Sequence, residues 1–389
     1  MKITELKPWI VTVPTLSFRP EEGTVKREYL FLQVNTDEGI TGWGEVTNYP
    51  GPVANYAVAG VLRQLSDFLK GDDPSRIEAI WNKVFRGFTY MGTRGLTTAV
   101  VSAIDIALWD IRGKALGLPI YQLLGGAVRD SIPLYTHPPR GTTVEESARL
   151  AKETVDKGYK AIKTDPFLHE MLRTIASYLD GQISPQGEQM GVDIIAAIRE
   201  AVGPEIEVLI DAHALYNVPT AVRLANRLAP YNITWFEEPV PPESYHALKQ
   251  VRQQVPVRIC VGERLHTRFE FVPVFENHLA DYIMPDVTWT GGISELKKIS
   301  TMAEAYYIPV TPHDASGPVN VMAGAHVMMT VPNFYRLESA RLLVETYNIF
   351  LKEPLDIRDG VLHVPDKPGL GIEFDLDYFK ANALPGWGG

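Results

Sequence analysis

Short apolar runs alternate with helix-like amphipathic segments through the middle and the second half of the chain. Three of these runs, EVLID, ITWFE and VRICVGE, each end in a carboxylate, and their ends are separated by 26 residues in both cases. That interval is too long for one helix or hairpin, and it suits one β-strand and one α-helix with their loops. Eight such units can be counted over about 250 residues, which predicts a (β/α)8 TIM barrel.

A doubly wound parallel sheet would show the same alternation of strands and helices. The first βα turn of this region contains no G-x-G-x-x-G sequence, however, so a dinucleotide site has little support. The helix of the eighth unit is poorly marked, but the other units are regular, and the barrel remains the preferred prediction.

The residues before the barrel have a different pattern. Residues 1 to about 60 alternate like β-strands, and from about 53 to 116 the period becomes helical. The last of these helices, TTAVVSAIDIALWDIRGKALGLP, is apolar almost all round and should be buried. We therefore expect an α+β capping domain at residues 1–126, the barrel at 127–350, and a tail at 351–389 that returns to the capping domain.

Composition narrows the class of partner. The formal net charge is −10, with 47 acidic residues against 37 lysines and arginines, and no basic stripe is present, which argues against nucleic acid. The single cysteine, Cys260, excludes an intramolecular disulfide and is expected to be a small core residue. The chain has neither a signal-peptide core nor an apolar run of about 18 residues, so we expect a cytoplasmic protein without a membrane segment.

Polar residues follow the predicted barrel strands at a steady interval of 23 to 27 residues from Asp211 to Glu338. In TIM barrels the active site lies at the carboxyl ends of the strands. An acid at one strand end is usually a helix cap, but acids or a histidine at six successive strand ends favour a common site. In chain order these residues are Lys163, Asp165, Asp211, His213, Glu237, Glu263, Asp286, His313 and Glu338.

Asp211, Glu237 and Glu263 are the predicted metal ligands. Carboxylates that converge on one point repel one another unless a cation lies between them. Three oxygen ligands suit Mg²⁺, with Mn²⁺ as a substitute, whereas a zinc site would favour histidine or cysteine.

His313 is the predicted general base. It ends the seventh strand, next to Asp286 at the end of the sixth, so the carboxylate can bind one imidazole nitrogen and raise the basicity of the ring. His213 lies two residues after Asp211, and because residues i and i+2 of a strand share a face, it should look into the same mouth of the barrel. A general acid and a fourth metal ligand are the two interpretations of His213, and no carboxylate partner for it is evident from the sequence.

Three further strand-end residues have open roles. Lys163 can hold a substrate carboxylate or support an enolate. Asp165 can bind a substrate hydroxyl or pair with Lys163. Glu338 can share a proton with a substrate oxygen if neighbouring acids raise its pKa.

The chain resembles the enolase superfamily, mandelate racemase subgroup, over essentially its whole length. The segments that carry the resemblance are GITGWGE, SAIDIALWDIRGKALGLPIYQLLGG, IKTD, LIDAH, WFEEP, GERLHTRFEF, MPDVTWTGGISE, TPHD and RLES. The resemblance implies one Mg²⁺ per subunit on the three acids, a pair formed by His313 and Asp286, and Glu338 near an enediolate.

Two departures from the racemases are informative. Racemases carry K-x-K on the second strand, and here the second position is Asp165, so a lysine base is missing on that side. They have Asn where this chain has His213. The combination of His213 and His313 is similar to the acid-sugar dehydratases of the subgroup, such as the galactonate, gluconate and mannonate enzymes.

The resemblance implies a hydro-lyase that converts a sugar acid, for example galactonate, gluconate or arabinonate, into a 2-keto-3-deoxy acid. His313 would remove the C2 proton, Lys163 and the metal would stabilise the enediolate, and His213 would protonate the departing 3-hydroxyl. The alternatives are an epimerase or lactone cycloisomerase of the same subgroup, or a non-catalytic regulatory protein that keeps the fold. A homo-oligomer is expected from the resemblance.

Substrate specificity is expected to come from segments around the mouth of the barrel. The capping-domain segments at 17–28 and 47–51 would cover the mouth and exclude water. Tyr49 and Trp289 are candidate substrate contacts, with packing an equal alternative for Trp289. The long segment at 166–191 is compatible with a capping role or a contact between subunits.

Overall fold

Two sheets organise the chain in the computed structural model, which describes residues 1–16, 23–47, 52–168, 181–339 and 343–388. One is a four-stranded antiparallel sheet near the amino terminus, and the other is a closed parallel barrel. None of the helices among these residues is long and apolar enough to cross a membrane.

The capping domain is built from the amino-terminal strands and the helices that follow them. Its elements are β1 (Ile3–Leu16), β2 (Thr24–Thr36), β3 (Thr41–Glu45), α1 (Pro52–Leu69), α2 (Ile77–Gly87), α3 (Leu96–Leu116) and the short α4 (Ile120–Leu123). β1 and β2 pair antiparallel from Ile3–Thr36 to Leu16–Thr24, and β3 pairs with β2. The predicted strands and the buried third helix are confirmed.

The GITGWGE segment allows α3 to pack directly on β3. A side chain at Gly42 would meet the carbonyl oxygen of Ala107 at 2.1 Å, and one at Gly44 would meet that of Ala103 at 2.0 Å. Backbone therefore touches backbone at both positions, a contact that only glycine permits. This packing fixes the end of β3, where Glu45 enters the interior between the two domains.

The barrel strands appear in sequence order around the sheet, and the eighth closes on the first. Its elements are β4 (Ile132–Thr136), α5 (Val144–Asp156), β5 (Ala161–Thr164), α6 (Pro185–Val202), β6 (Glu207–Asp211), α7 (Val218–Leu228), β7 (Trp235–Glu237), α8 (Tyr245–Gln254), β8 (Ile259–Val261), α9 (Thr267–Glu276), β9 (Tyr282–Ile283), α10 (Gly292–Ala305), α11 (Pro318–Met328), β10 (Leu337–Ser339) and α12 (Leu343–Ile349).

The predicted seventh strand is reduced to single parallel bridges. Val310 bridges Ile283 on one side and Phe334 on the other, and His313 bridges Asp286. These bridges keep the chain between β9 and β10, so the eightfold order predicted from the sequence is retained.

An apolar layer fills the barrel beneath its carboxyl end. Ala161, Leu209 and Trp235 belong to this layer, as does the free and buried Cys260. The first three lie two residues before Lys163, Asp211 and Glu237, and residues two apart on a strand share a face. The charged layer of the site therefore rests on a packed apolar floor, and the core role predicted for Cys260 is confirmed.

The tail differs from the expectation that all of it returns to the capping domain. Its elements are β11 (Ile357–Arg358), β12 (Val361–Leu362), α13 (Leu376–Asn382) and β13 (Ala383–Gly388). The β11–β12 hairpin joins the barrel instead, because Val361 and Leu362 pair with Pro133 and Ile132 of β4. The rest of the described tail does return to the capping domain, because β13 pairs with β1 and Phe374 and Phe379 pack against Trp43. The domain boundaries stay a prediction.

Candidate active site

Three carboxylates converge at the carboxyl ends of neighbouring barrel strands. Asp211 ends β6, Glu237 ends β7 and Glu263 follows β8, and one oxygen of each lies within 4.8 Å of the others. Gly262, with a φ of 140°, turns the chain towards Glu263. All three acids are buried, with exposed fractions of 3%, 0% and 6%. The structure thus brings together the three predicted ligands.

The electrostatics of this cluster fit a divalent cation. Burial and the charge of Asp211 raise the pKa of Glu237 well above its usual value. Burial opposes ionisation of Asp211 as well, but His213 and Lys163 stabilise its charge and bring its pKa to about 2. A bound cation would relieve the repulsion between these acids, and three carboxylate oxygens suit Mg²⁺ or Mn²⁺ better than Zn²⁺.

Lys163 lies beneath the carboxylates rather than in the mouth of the barrel. Its side chain is 1% exposed, and its Nζ is 2.6 Å from Glu237 Oε1, 2.9 Å from Glu338 Oε1 and 3.5 Å from Asp211 Oδ2. Three carboxylates thus contact one ammonium group. The arrangement favours neutralisation of the acids over direct binding of a substrate carboxylate.

His313 and Asp286 form the predicted pair. His313 Nδ1 is 2.7 Å from Asp286 Oδ2, and its Nε2 is 3.1 Å from Glu263 Oε2. Asp286 is fixed in turn by the backbone N–H of Thr288, at 2.8 Å, and by its hydroxyl, at 2.6 Å. The ring of Trp289 packs against His313 with centroids 5.3 Å apart. One imidazole nitrogen is therefore oriented by a carboxylate while the other points at the metal ligands.

His213 reaches the site by a different route from the one predicted. The strand ends at Asp211, and His213 has a φ of 50°, so it lies in a turn and the argument from strand alternation is wrong. Its ring nevertheless faces the site, because Nδ1 is 3.2 Å from Asp211 Oδ1 and Nε2 is 3.3 Å from Asp165 Oδ2. Asp165 is thus the carboxylate partner that the sequence did not reveal.

Asp165 is itself held by Arg140, a residue that the sequence analysis missed. Arg140 Nε donates to Asp165 Oδ1 at 3.0 Å, and Nη2 contacts Oδ2. The pairing of Asp165 with Lys163, one of its two predicted roles, is replaced here by this ion pair. Arg140 follows the first barrel strand by four residues, and its position in the chain gives no hint of this partner.

Glu338 corrects a second expectation. Burial would raise its pKa, but the charges of Lys163, His313 and His137 outweigh burial and hold the pKa well below its usual range. Its Oε2 accepts hydrogen bonds from the hydroxyl of Tyr135, at 3.0 Å, and from the backbone N–H of Asp314, at 3.1 Å. These charges and hydrogen bonds favour the ionised carboxylate, whereas the predicted sharing of a proton depends on a raised pKa.

Two other residues at the site were missed. His137 contacts Glu338 Oε1 through Nε2, and it follows the first barrel strand, so its place at a strand end was the signal. Arg264 contacts Glu263 and donates to the carbonyl oxygen of His213 at 3.1 Å. Tyr49 lies outside the described residues, as do parts of the three segments predicted to surround the mouth.

Comparison with known proteins places this architecture in a family. Residues 10–125 match the model of the mandelate racemase / muconate lactonizing enzyme N-terminal domain, and residues 146–378 match that of the enolase C-terminal domain-like family. A mandelate racemase/muconate lactonizing enzyme-like protein from Rubrobacter xylanophilus has a similar structure, with a TM-score of 0.88 and 32% identity over 99% of this chain and 98% of that one. The predicted fold is confirmed.

Relatives with names that state a reaction include two kinds of enzyme. A D-galactonate dehydratase from Pectobacterium atrosepticum is 35% identical over 92% of each chain. A D-galactarolactone cycloisomerase from Agrobacterium fabrum is 33% identical over 92% of each chain. Dehydratases are hydro-lyases, so the first relative supports the predicted class of enzyme. The chain belongs to the mandelate racemase / muconate lactonizing enzyme family of the enolase superfamily.

Proposed function

We propose that this protein is a Mg²⁺-dependent acid-sugar dehydratase that acts on an aldonate such as galactonate, gluconate or arabinonate. One observation carries the proposal: a histidine with its own carboxylate partner lies at each end of the ligand cluster. His213 contacts the first ligand, Asp211, and His313 contacts the last, Glu263. Dehydration needs a base and an acid on one substrate, and this arrangement supplies both.

The elimination balances with these two side chains. His313 takes the proton from C2, and the electron pair of that C–H bond moves towards the carboxylate to give an enediolate. The electron pair then forms the double bond between C2 and C3 as the C3–O bond breaks, and the hydroxyl leaves as water with the proton that His213 donates. The enol product then tautomerises to a 2-keto-3-deoxy acid.

The buried acids and Lys163 prepare the site for negative charge on the substrate. A divalent cation held by Asp211, Glu237 and Glu263 would supply positive charge beside the substrate carboxylate and stabilise the negative charge of an enediolate. Lys163 neutralises part of the charge beneath these acids. The ring of Trp289 covers one side of His313.

Cycloisomerisation of a sugar-acid lactone is the second candidate, favoured by the relative from Agrobacterium fabrum. It requires delivery of a proton to carbon instead of loss of hydroxide. Epimerisation has less support, because Asp165 stands where racemases have their second lysine and is engaged by Arg140 and His213. A non-catalytic role is disfavoured by the complete ligand and base sets.

A panel of sugar acids tests the proposal. Purified protein with Mg²⁺ should convert at least one aldonate into a product that is lighter by one water, as measured by mass spectrometry. Glu237→Gln should remove this activity and weaken the binding of Mn²⁺, followed by electron paramagnetic resonance, whereas the exposed-site control Glu353→Gln should change neither. A product with the mass of its substrate would instead support cycloisomerisation or epimerisation.

A further inference from the structure

A buried carboxylate of the capping domain reaches the barrel helix behind His313. Glu45 ends β3 and is 0% exposed. Its Oε2 accepts from the backbone N–H groups of Val319, at 3.1 Å, and Asn320, at 3.3 Å, in the first turn of α11. The first N–H groups of a helix lack partners within the helix, so a carboxyl oxygen placed there satisfies them.

Gly317 makes this contact possible. It occupies the position where a side chain would normally cap α11, and the helix has no side-chain cap of its own. A Cβ at Gly317 would lie 2.3 Å from Glu45 Oε1. Glu45 thus replaces the missing cap, and any side chain at position 317 would displace it.

Asn320 transmits this anchoring to the pair of Asp286 and His313. Its side chain is 1% exposed, and Nδ2 lies 3.2 Å from both carboxylate oxygens of Asp286. One of these oxygens, Oδ2, also accepts from His313 Nδ1. The amide therefore sets the plane of the carboxylate that orients the imidazole.

We propose that Asn320 is a positioning residue for the pair formed by Asp286 and His313, and that Glu45 of the capping domain holds Asn320 in place. The inference rests on the proposed function, because it is as the base that His313 needs its alignment. It assigns to the capping domain a part in the geometry of the barrel site in addition to any cover over the mouth. Small errors in the orientation of a base reduce the rate of proton abstraction strongly.

The first test compares Asn320→Leu with Asn333→Leu. Leucine has a similar shape but no donor, and Asn333 is a suitable control because its Nδ2 donates to the carbonyl of Ile308, outside this network. We expect Asn320→Leu to lower kcat about 10- to 100-fold while KM stays within about threefold. The control should keep both constants near those of the wild type. Folded Asn320→Leu protein with the wild-type kcat would overturn the proposal.

Gly317→Ala provides a second test if Asn320→Leu does not fold. The added methyl group should displace Glu45 and lower kcat about 3- to 10-fold without replacing any polar side chain of the network. Unchanged kcat in this variant would contradict the role of Glu45.

Crystal structures of the wild type and Asn320→Leu with Mn²⁺ separate this inference from the proposed function. If the wild type converts no acid sugar, the dehydratase function fails, but the geometry still tests the positioning role. We expect the distance between His313 Nδ1 and Asp286 Oδ2 to stay near 2.7 Å in the wild type. It should exceed about 3.5 Å in Asn320→Leu, beyond hydrogen-bond range. The same short distance in both structures would overturn the inference.

Discussion

The two histidine–carboxylate pairs differ in how firmly the protein encloses them. The side chain of His313 is 8% exposed, and its partner Asp286 is held by Thr288 and Asn320 in the interior. The side chain of His213 is 30% exposed, and its partner Asp165 is held by Arg140 near the mouth. A base must be aligned with the weakly acidic C–H bond, and water must be kept from the enediolate that forms, whereas the acid gives its proton to a hydroxyl that has to leave the site as water. The difference in enclosure is consistent with the proposed division of roles.

Removal of the metal should have the largest effect, because it affects both histidine–carboxylate pairs. After dialysis against a chelator we expect loss of both C2–hydrogen exchange and dehydration, and recovery of both on addition of Mg²⁺. Product formation and deuterium incorporation can be measured on the same samples. If metal-free protein retained either reaction, one of the two histidine–carboxylate pairs would act without the metal.

Lys163→Met tests the buried lysine that neutralises the acids between the two histidine–carboxylate pairs. Loss of one partner from a buried cluster leaves its acids uncompensated, so the metal-free protein should lose about 3–5 kcal/mol of unfolding free energy. Chemical denaturation measures the difference. The control Lys298→Met removes a partly exposed pair with Glu78 and should cost less than about 1 kcal/mol. Equal losses in the two variants would mean that Lys163 is no more coupled to its acids than a surface lysine.

Glu45→Gln tests the protonation of the buried carboxyl group behind the enclosed pair of His313 and Asp286. Burial raises the pKa of Glu45 from 4.5 to about 8, so the folded state keeps a proton that the unfolded state releases at lower pH. The wild type should therefore lose stability from Glu45 as pH rises from about 4.5 to about 8, and glutamine, which does not titrate, should not.

The stability of Glu45→Gln relative to the wild type should consequently grow between pH 5 and pH 8, by at most about 1.4 kcal/mol per pH unit. Urea denaturation at four pH values measures this slope. Asp105, whose pKa burial raises to about 7, is present in both proteins and cancels in the difference. If the difference in stability between the two proteins did not vary with pH, Glu45 would not hold a proton in the folded state over this range.

A change at the exposed pair of His213 and Asp165 should have the smallest effect, and it should slow dehydration but not C2 exchange. Arg140→Met releases Asp165 and should lower the rate of dehydration about 10-fold, whereas C2 exchange should stay within about twofold of the wild type. Both rates can be followed by proton NMR in deuterated water. The surface variant Arg149→Met, on α5, should leave both rates unchanged. An equal fall in exchange and dehydration would contradict the separate roles proposed for the two histidine–carboxylate pairs.

The spacing of strand ends was sufficient to predict the barrel and to collect the acids at its mouth. Strands that follow one another in sequence also pair in space in this fold, so Asp211, Glu237 and Glu263 become neighbours by local order alone. The pairing of Asp286 with His313 follows from the same rule, because their positions bridge directly. Regular repetition thus made these contacts readable without a structure.

Contacts that break this regularity were not readable. His213 leaves the strand with a positive φ, which strand alternation does not anticipate. Glu338 differs, because it meets Tyr135 and His137, 203 and 201 residues away, through the closure of the eighth strand on the first that a barrel predicts, although the sequence analysis did not name these two partners. Its low pKa depends on the burial of Lys163 beneath it, and Arg140 is placed by a loop whose course the sequence does not specify.

Exchange and elimination measured together in His313→Asn and His213→Asn test whether His313 is the base and His213 the acid. Each variant is incubated with Mg²⁺ and the aldonate that the wild type converts, in deuterated water, and C2 deuterium and dehydrated product are quantified in the same sample. We expect His313→Asn to give neither deuterated substrate nor product, and His213→Asn to incorporate deuterium at C2 but form no product. Deuterium exchange that persists in His313→Asn would contradict the assignment of the enclosed histidine as the base.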